Sequence, residues 1–356
     1  MPTSTIQSLH QPEGSKNDSR DFLTEYEAVR KFAGLFSFNS FAKISVRGKD
    51  RIKFLQGLTT NDMNLLSEGR GLYTIFPTIK GKIASEARVY AFSDHILLIL
   101  NPELREKTLQ ILNKFKIGSD VQLLDLTESF FLLSVQGPQA DLVLGKWLQN
   151  TPPDLLPFQW ASHSYEGVNF QIIRNTWSGE MGYDLLIPAP QGEMFQKSLL
   201  EKGGPVGLIP VGKVIFETIR IEAGIPQYGT GLSEEVLPHE AGLEKLAISY
   251  TKGCYIGQET IARLHYLGHT NRSMVGLLLE QDFPDKSDTI VSEDKTIGLI
   301  TSSAFSPSLK RVISLGYLQR LFVQPGTPVE IRHREGRIKA WVTELPFYRP
   351  EQVKSN

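Results

Sequence analysis

The chain has 356 residues, of which 40% are hydrophobic and 22% are charged, and its formal net charge is -1 at pH 7. This length predicts two or three domains of ordinary globular composition. The balanced charge gives no electrostatic reason to expect nucleic acid or a membrane surface as a partner. The single cysteine, Cys254, excludes an intrachain disulfide and a four-cysteine zinc or iron–sulfur site within one chain.

The N-terminal segment has none of the apolar patterning that directs a chain to or across a membrane. Residues 1–20 are rich in Ser, Gln, Pro, Asn and charged residues, so we predict a disordered tail. No apolar run approaches the roughly 20 residues of a membrane span, and the start of the chain lacks the apolar core of a secretory signal. We therefore expect a cytoplasmic protein.

Apolar periodicity predicts alternating helices and strands up to residue 223. Asp50 is the expected N-cap of the second helix. The other predictions are a helix at 22–32, a strand at 41–46, antiparallel strands within 71–101, a helix at 103–115, a strand at 130–136, a helix at 139–148, a hairpin around 166–167, a strand at 183–187, and helices at 194–200 and 211–223. The strand–helix–strand–strand–helix order after residue 130 predicts a ferredoxin-like unit.

Beyond His269 the pattern changes to short strands at 274–279, 296–301, 312–318, 329–331 and 340–345. Short strands at this spacing predict a small β-barrel. The predicted fold class is therefore α+β. We divide the chain into the tail (1–20), a ferredoxin-like domain (21–50 with 128–202), a second α+β domain with the cysteine (51–127 with 203–269) and a C-terminal barrel (270–356).

The segment from Lys252 to Glu259 reads Lys-Gly-Cys-Tyr-Ile-Gly-Gln-Glu. The glycines at 253 and 257 let the backbone turn and approach a ligand closely. A positive charge on Lys252, two residues from the thiol, would favour the thiolate, which attacks electrophiles and binds metals. The alternative is that Cys254 is a small buried hydrophobe. The polar surroundings favour a reactive thiol.

This octapeptide resembles the signature of the YgfZ family, the folate-binding, iron–sulfur-maturation branch of the glycine cleavage T-protein superfamily. Further short blocks resemble T-protein segments in the same order, at residues 55–62, 72–74, 178–183, 220–224, 238–243 and 301–347. The resemblance implies a three-domain T-protein-like ring with tetrahydrofolate, or a derivative, bound in its central hole.

The resemblance also implies which residues bind folate. In that family the Glu of a Gly-Glu-x-Gly segment grips the pterin and the Arg of an Arg-x-Glu-Ala-Gly block contacts folate, which points to Glu180 and Arg220. A carboxylate can accept two adjacent pterin N–H groups, and Arg can bind a carboxylate bidentately. Tyr73, Lys252 and Gln258 complete the expected site. The alternatives are a solvated hairpin residue for Glu180 and a surface ion pair for Arg220.

One departure from the parent enzyme bears directly on its chemistry. Where the T-protein has Gly-Gly-x-x-Asp-Asp, residues 81–86 place Ser85 at the first Asp, which acts on the folate and the aminomethyl group. A neutral hydroxyl cannot replace a carboxylate in that step. Glu86 is the next residue and is expected to point to the opposite face of the strand. Aminomethyl transfer is therefore not expected.

A metal site is not predicted. His265 and His269 have the i, i+4 spacing of two ligands on a helix. However, Gly268 and the domain boundary near residue 270 argue against a helix there. With no second cysteine in the chain, Cys254 would need His, Asp or Glu partners, a second subunit or a partner protein to hold a metal or a cluster.

The resulting hypothesis is a folate-binding accessory factor, rather than a classical aminomethyltransferase, that supports assembly or repair of iron–sulfur clusters. Cys254 would be its reactive group, near the folate site. Its expected partners are folate and iron–sulfur assembly proteins or client enzymes, and this role is implied by the resemblance alone. The alternatives are a tetrahydrofolate-dependent one-carbon transferase or demethylase, and a non-catalytic scaffold with a vestigial folate site.

Overall fold

A computed structural model describes residues 18–280 and 282–350 of the chain. Its helices are α1 (Asp18–Lys31), α2 (Arg51–Leu58), α3 (Arg105–Phe115), α4 (Ala140–Leu148), α5 (Gly192–Gly203), α6 (Lys213–Glu222), α7 (Glu244–Ala247) and α8 (Gln258–Leu267). Its strands are β1 (Ala33–Ser37), β2 (Ala42–Arg47), β3 (Gly71–Pro77), β4 (Ile83–Ala91), β5 (His95–Leu100), β6 (Gln122–Asp125), β7 (Phe130–Gln136), β8 (Trp160–Tyr165), β9 (Val168–Arg174), β10 (Gly182–Pro188), β11 (Leu208–Pro210), β12 (Arg272–Leu279), β13 (Thr289–Ser292), β14 (Lys295–Ser306), β15 (Arg311–Gln319), β16 (Pro328–His333) and β17 (Gly336–Thr343).

The strands form two open sheets and a closed barrel. The first sheet has the order β11-β1-β7-β10-β9-β8, and the second has the order β3-β4-β5-β2-β6. All of their pairings are antiparallel except that between β1 and β11. The barrel closes in the order β12-β15-β14-β13-β16-β17. The predicted α+β fold with a C-terminal barrel is confirmed.

The second sheet lies between two cores, which explains why β5 is apolar at nearly every position. Leu97 and Ile99 pack toward the first sheet, in a cluster that includes Leu186 of β10. Leu98 and its neighbours on the other face pack against α2 and α3. A strand buried on both faces loses the alternation of apolar and polar residues that marks a half-exposed strand. The two open sheets therefore share a core, and the cavity described below is lined by residues from both.

The structure extends or corrects several predictions. The predicted tail lies outside the described residues up to position 17, and residues 18–20 belong to α1. The Asp50 side chain makes no capping hydrogen bond to α2 and instead accepts from the Asp120 backbone N–H at 2.8 Å. The missed strands β1, β6, β11 and β13 have at most five residues each, too few to show a clear pattern.

The sheets divide the chain differently from the predicted domain boundaries at two places. Strand β2 lies within the predicted segment 21–50 of the first unit, yet it pairs with β5 and β6 in the second sheet. Strand β11 lies within the predicted segment 203–269 of the second unit, yet it pairs with β1 in the first sheet. These pairings join segments that are distant in sequence.

Candidate functional site

A cavity of about 310 Å³ is lined by residues from both open sheets, from α6 and from the loop that follows it. This volume falls within the range of small-molecule sites. Five aromatic side chains line it: Phe41, Tyr73, Phe158, Trp177 and Phe216. The polar lining consists of Glu86, Arg88, Asn101, Arg174, Asn175, Thr176, Arg220 and Gln227. Such a cavity suits a flat, partly polar ligand.

Strand β4 brings a carboxylate to the cavity, contrary to the sequence prediction. Ser85 and Glu86 do lie on opposite faces of the strand, as expected. However, Ser85 faces α3, where its Oγ is 2.7 Å from Thr108 Oγ1, and Glu86 lines the cavity. The prediction that Ser85 leaves the site without a carboxylate is therefore wrong. Ser85 lies on the face of β4 that packs against α3, and Glu86 lies on the face that lines the cavity.

Glu86 is buried and held in a defined position. It accepts hydrogen bonds from the Tyr73 hydroxyl and from the Tyr228 backbone N–H. Burial raises the pKa of Glu86 to about 7, and the nearby Arg88 guanidinium acts in the opposite direction. A carboxyl group with this pKa can hold or release a proton near neutral pH, as general acid–base catalysis requires.

Tyr73 and Arg220, two of the residues predicted to bind folate, line this cavity. Arg220 is 2% exposed and is not a surface residue. Its Nε and Nη2 bond Glu217, and its Nη1 donates to the Ile225 carbonyl at 3.2 Å. Glu217 therefore serves as the counter-ion of Arg220.

Glu180 does not line the cavity. It forms an ion pair with Arg30 at 3.1 Å, and Arg30 also pairs with Glu222 at 2.6 Å. Burial raises the pKa of Glu180, against the opposing effects of the Arg30 charge and a hydrogen bond from Tyr348. Glu180 is therefore a buried ionic residue rather than a solvated hairpin residue, and its contact with the pterin stays a prediction.

Lys252 is buried and anchors a loop. Its ammonium donates to the backbone carbonyls of Gln56 at 2.8 Å, Thr59 at 2.5 Å and Asn61 at 2.9 Å. Burial lowers the pKa of Lys252 to about 8, while the Asp62 carboxylate acts in the opposite direction. The expectation that Lys252 serves the thiol is not supported, because three carbonyl groups already use its hydrogen-bonding capacity.

Cys254 is exposed and free, so the alternative of a packed core cysteine is wrong. Gln258 lies at the first position of α8, where its Oε1 accepts from the Tyr255 backbone N–H at 3.4 Å. Neither residue lines the cavity. The octapeptide therefore combines a buried anchor, Lys252, with a thiol presented to solvent.

Gly257→Ala is expected to destabilise the protein by about 2 kcal/mol or more, because left-handed backbone is costly for a residue with a Cβ. Gly257 has φ +74°, and an added Cβ would lie 2.2 Å from the Thr78 carbonyl oxygen. Gly253 has no atom within 4 Å of an added Cβ, so Gly253→Ala is the matched control and should change little. Urea unfolding of both variants measures the difference. Equal stabilities would show that the turn at Gly257 can relax.

The two histidines considered as metal ligands are not on one helix. Helix α8 includes His265 and ends before His269. His265 Nδ1 is 2.6 Å from Glu244, and its ring stacks on Tyr250 at 3.6 Å. A helix is therefore present at His265, contrary to the sequence prediction, and it ends two residues before His269.

Several residues of the cavity were missed. Glu86 and Arg88 lie two residues apart in an otherwise apolar strand, and this i, i+2 spacing of charges was the available signal that both face one side. Asn175 and Trp177 follow β9 directly, and nothing local distinguishes them from other loop residues. Within the described residues, no helix is long and apolar enough to cross a membrane.

Comparisons with known proteins agree with this fold. The family model described as the GCVT N-terminal domain matches residues 11–252, and that of the glycine cleavage T-protein C-terminal barrel domain matches residues 272–349. The chain is 30% identical over 335 residues to an aminomethyltransferase of Thermoanaerobacter pseudethanolicus, covering 93% of this chain and 90% of that protein. It is 32% identical over 331 residues to an aminomethyltransferase of Geobacillus sp., covering 91% of this chain and 90% of that protein.

A solved structure resembles the whole chain. The crystal structure of glycine cleavage system aminomethyltransferase T from Bartonella henselae superposes with a TM-score of 0.83. The match covers 96% of this chain and 91% of that one at 24% sequence identity. At this identity the likeness establishes the fold.

Proposed function

The chain belongs to the glycine cleavage T-protein family, and on that premise we propose that it binds tetrahydrofolate, or a derivative, and supports iron–sulfur clusters in client enzymes through Cys254. This is the role of the YgfZ branch, which the octapeptide resembles. The observation that carries the proposal is the exposed thiol of the only cysteine, two residues from Lys252, which is buried and anchored to backbone carbonyls.

The cavity supports binding of a folate ring. Its aromatic side chains can stack on a flat heterocycle. The carboxyl group of Glu86 can accept adjacent pterin N–H groups, the task first expected of Glu180. Gln227 also lines the cavity, and its Oε1 is buried without a hydrogen-bond partner. A buried acceptor without a donor is costly, so a ligand N–H placed there would be favourable.

An exposed thiol is suited to meeting a second protein. Any further thiolate ligand of a cluster or metal held by Cys254 would come from that partner, because the chain contains no other cysteine. A serine hydroxyl at this position is scarcely ionised near neutral pH and cannot replace a thiolate ligand or nucleophile.

Cys254→Ser is expected to fold normally, to bind tetrahydrofolate as the wild type does, and to fail to restore iron–sulfur enzyme activity in a strain lacking this protein. An exposed Cys can be replaced at little cost in stability. The measurements are thermal unfolding, calorimetry with tetrahydrofolate, and assays of several iron–sulfur enzymes after complementation. Glu335→Gln, at an exposed turn of the barrel, is the control and should complement. Full complementation by Cys254→Ser would remove the thiol from the function.

A second candidate is tetrahydrofolate-dependent one-carbon transfer, and Glu86 is the observation that favours it. A buried carboxyl group with a pKa of about 7 could take a proton from, or return one to, a reacting nitrogen in the cavity. Turnover of aminomethyl or N-methyl donors by purified protein, lost in Glu86→Gln, would favour this candidate. If wild-type protein does not bind tetrahydrofolate at all, the scaffold alternative is preferred.

A further inference from the structure

We propose that the cavity contains a carboxylate-binding subsite built on Arg88. The inference deepens the proposed function, because it assumes that the cavity binds a folate, and it adds a second chemical feature of the bound ligand. The subsite lies beside Glu86, since the two residues share one face of β4 and both line the cavity.

The Arg88 guanidinium is oriented but not satisfied. Its Nε donates to Asn175 Oδ1 at 3.3 Å, and its central carbon lies 3.4 Å from the centre of the Trp177 ring. Within residues 18–280 and 282–350, its two terminal nitrogens donate no hydrogen bond and no carboxylate lies within ion-pair distance. Those nitrogens are also not among the fully buried atoms without a partner, so they keep accessible surface next to the cavity.

Neither neighbouring acid bonds the Arg88 guanidinium. Glu86 accepts from Tyr73 and Tyr228, and Asp184 accepts from Asn175 Nδ2 at 2.6 Å and from Trp177 Nε1 at 3.1 Å. Surrounding protein lowers the pKa of Arg88, mainly through desolvation of its charge. A desolvated cation without a close counter-ion is costly to the fold. A ligand anion would offset that cost.

The other two arginines of the cavity each use a terminal nitrogen in a bond to the protein. Arg220 is paired with Glu217, and Arg174 donates from Nη1 to the Gly182 carbonyl at 3.1 Å, whereas Arg88 bonds only through Nε. Stacking on Trp177 fixes the plane of the Arg88 guanidinium, and two parallel N–H groups in a fixed plane match a carboxylate bidentately. Because no group among the residues that the structure describes fills this position, the geometry points to a carboxylate of the ligand.

The carboxylate could come from the glutamate tail of folate or from a separate small acid bound beside the ring. Calorimetry on the full-length protein distinguishes the two sources. The probes are tetrahydrofolate, 6-methyltetrahydropterin, which has no tail, and acetate titrated into protein with and without 6-methyltetrahydropterin. The variants are Arg88→Met, Arg88→Lys and, as an exposed control on the barrel, Arg337→Met.

If the tail is the source, Arg88→Met weakens tetrahydrofolate roughly 10- to 100-fold, the range for losing a charged hydrogen bond, and leaves 6-methyltetrahydropterin unchanged. If a separate acid is the source, both pteridines bind Arg88→Met normally and acetate binding is lost. Arg88→Lys should recover only part of the loss, because an ammonium has no planar fork. Arg337→Met should bind every probe as the wild type does.

Two results would overturn the proposal. One is wild-type affinity of Arg88→Met for tetrahydrofolate and for acetate. The other is a clear fall in the thermal unfolding midpoint of ligand-free Arg88→Met, which would assign Arg88 a structural role; we expect an equal or higher midpoint. If the wild type binds neither pteridine, the folate proposal fails separately. Acetate binding to the ligand-free protein then tests the subsite. Binding that is lost in Arg88→Met supports the subsite, and binding that Arg88→Met retains contradicts it.

Discussion

Arg30→Met is expected to destabilise the folded protein by about 3–5 kcal/mol, the usual cost of removing one partner from a buried ion pair. Arg30 on α1 bridges Glu180, which precedes β10, and Glu222 at the end of α6. The side chains of these three residues are 5%, 4% and 0% exposed, respectively. Without the guanidinium, two carboxylates would remain buried with no cation between them.

The matched control is Lys31→Met, one position along the same helix. The Lys31 side chain is 60% exposed and pairs only with Glu27, so its loss should change the free energy of unfolding little. The deficit of Arg30→Met should shrink as pH falls, because protonation removes the uncompensated charges. Chemical denaturation of both variants at several pH values is the measurement. Equal stabilities would mean that the cluster does not hold α1 to α6.

Glu86→Gln is expected to remove a stability penalty of about 3 kcal/mol that the wild type carries above pH 7, since one pKa unit corresponds to about 1.4 kcal/mol. Burial raises the pKa of Glu86 from 4.5 to about 7. Between these values the folded state keeps a proton that the unfolded state loses, so wild-type stability falls as pH rises from 4.5 to 7. Below pH 4.5 both states are protonated and the penalty is absent.

The measurement is the free energy of unfolding of wild type and Glu86→Gln from pH 4 to 8. The difference between them should grow with pH and level off above the folded-state pKa. Glu335→Gln, at an exposed turn of the barrel, should follow the wild type at every pH. A difference independent of pH would show that Glu86 keeps its charge in the folded protein and cannot act as a proton carrier near neutrality.

The order of the helices and strands, and the presence of a C-terminal β-barrel, could be predicted from the sequence because both depend on the local spacing of apolar and turn residues. Strand β7 was predicted to the residue, and the helices were predicted to within a few residues at each end. The exceptions are α8, where Gly268 and the domain boundary argued against a helix, and α7, which has only four residues. The T-protein blocks are also local, so they identified the family and brought Tyr73 and Arg220 into the predicted site.

The partners of the charged residues could be decided only by the tertiary structure. Alternation along β4 predicted that Ser85 and Glu86 face opposite sides, but it could not tell which side holds the cavity. Glu180 and Arg30 are 150 residues apart, and Lys252 and Gln56 are 196 apart. Whether a buried charge binds a ligand, pairs with another charge or anchors a loop depends on which distant segments pack beside it, because the energy of a charge is set by the desolvation and the counter-charges that this packing provides.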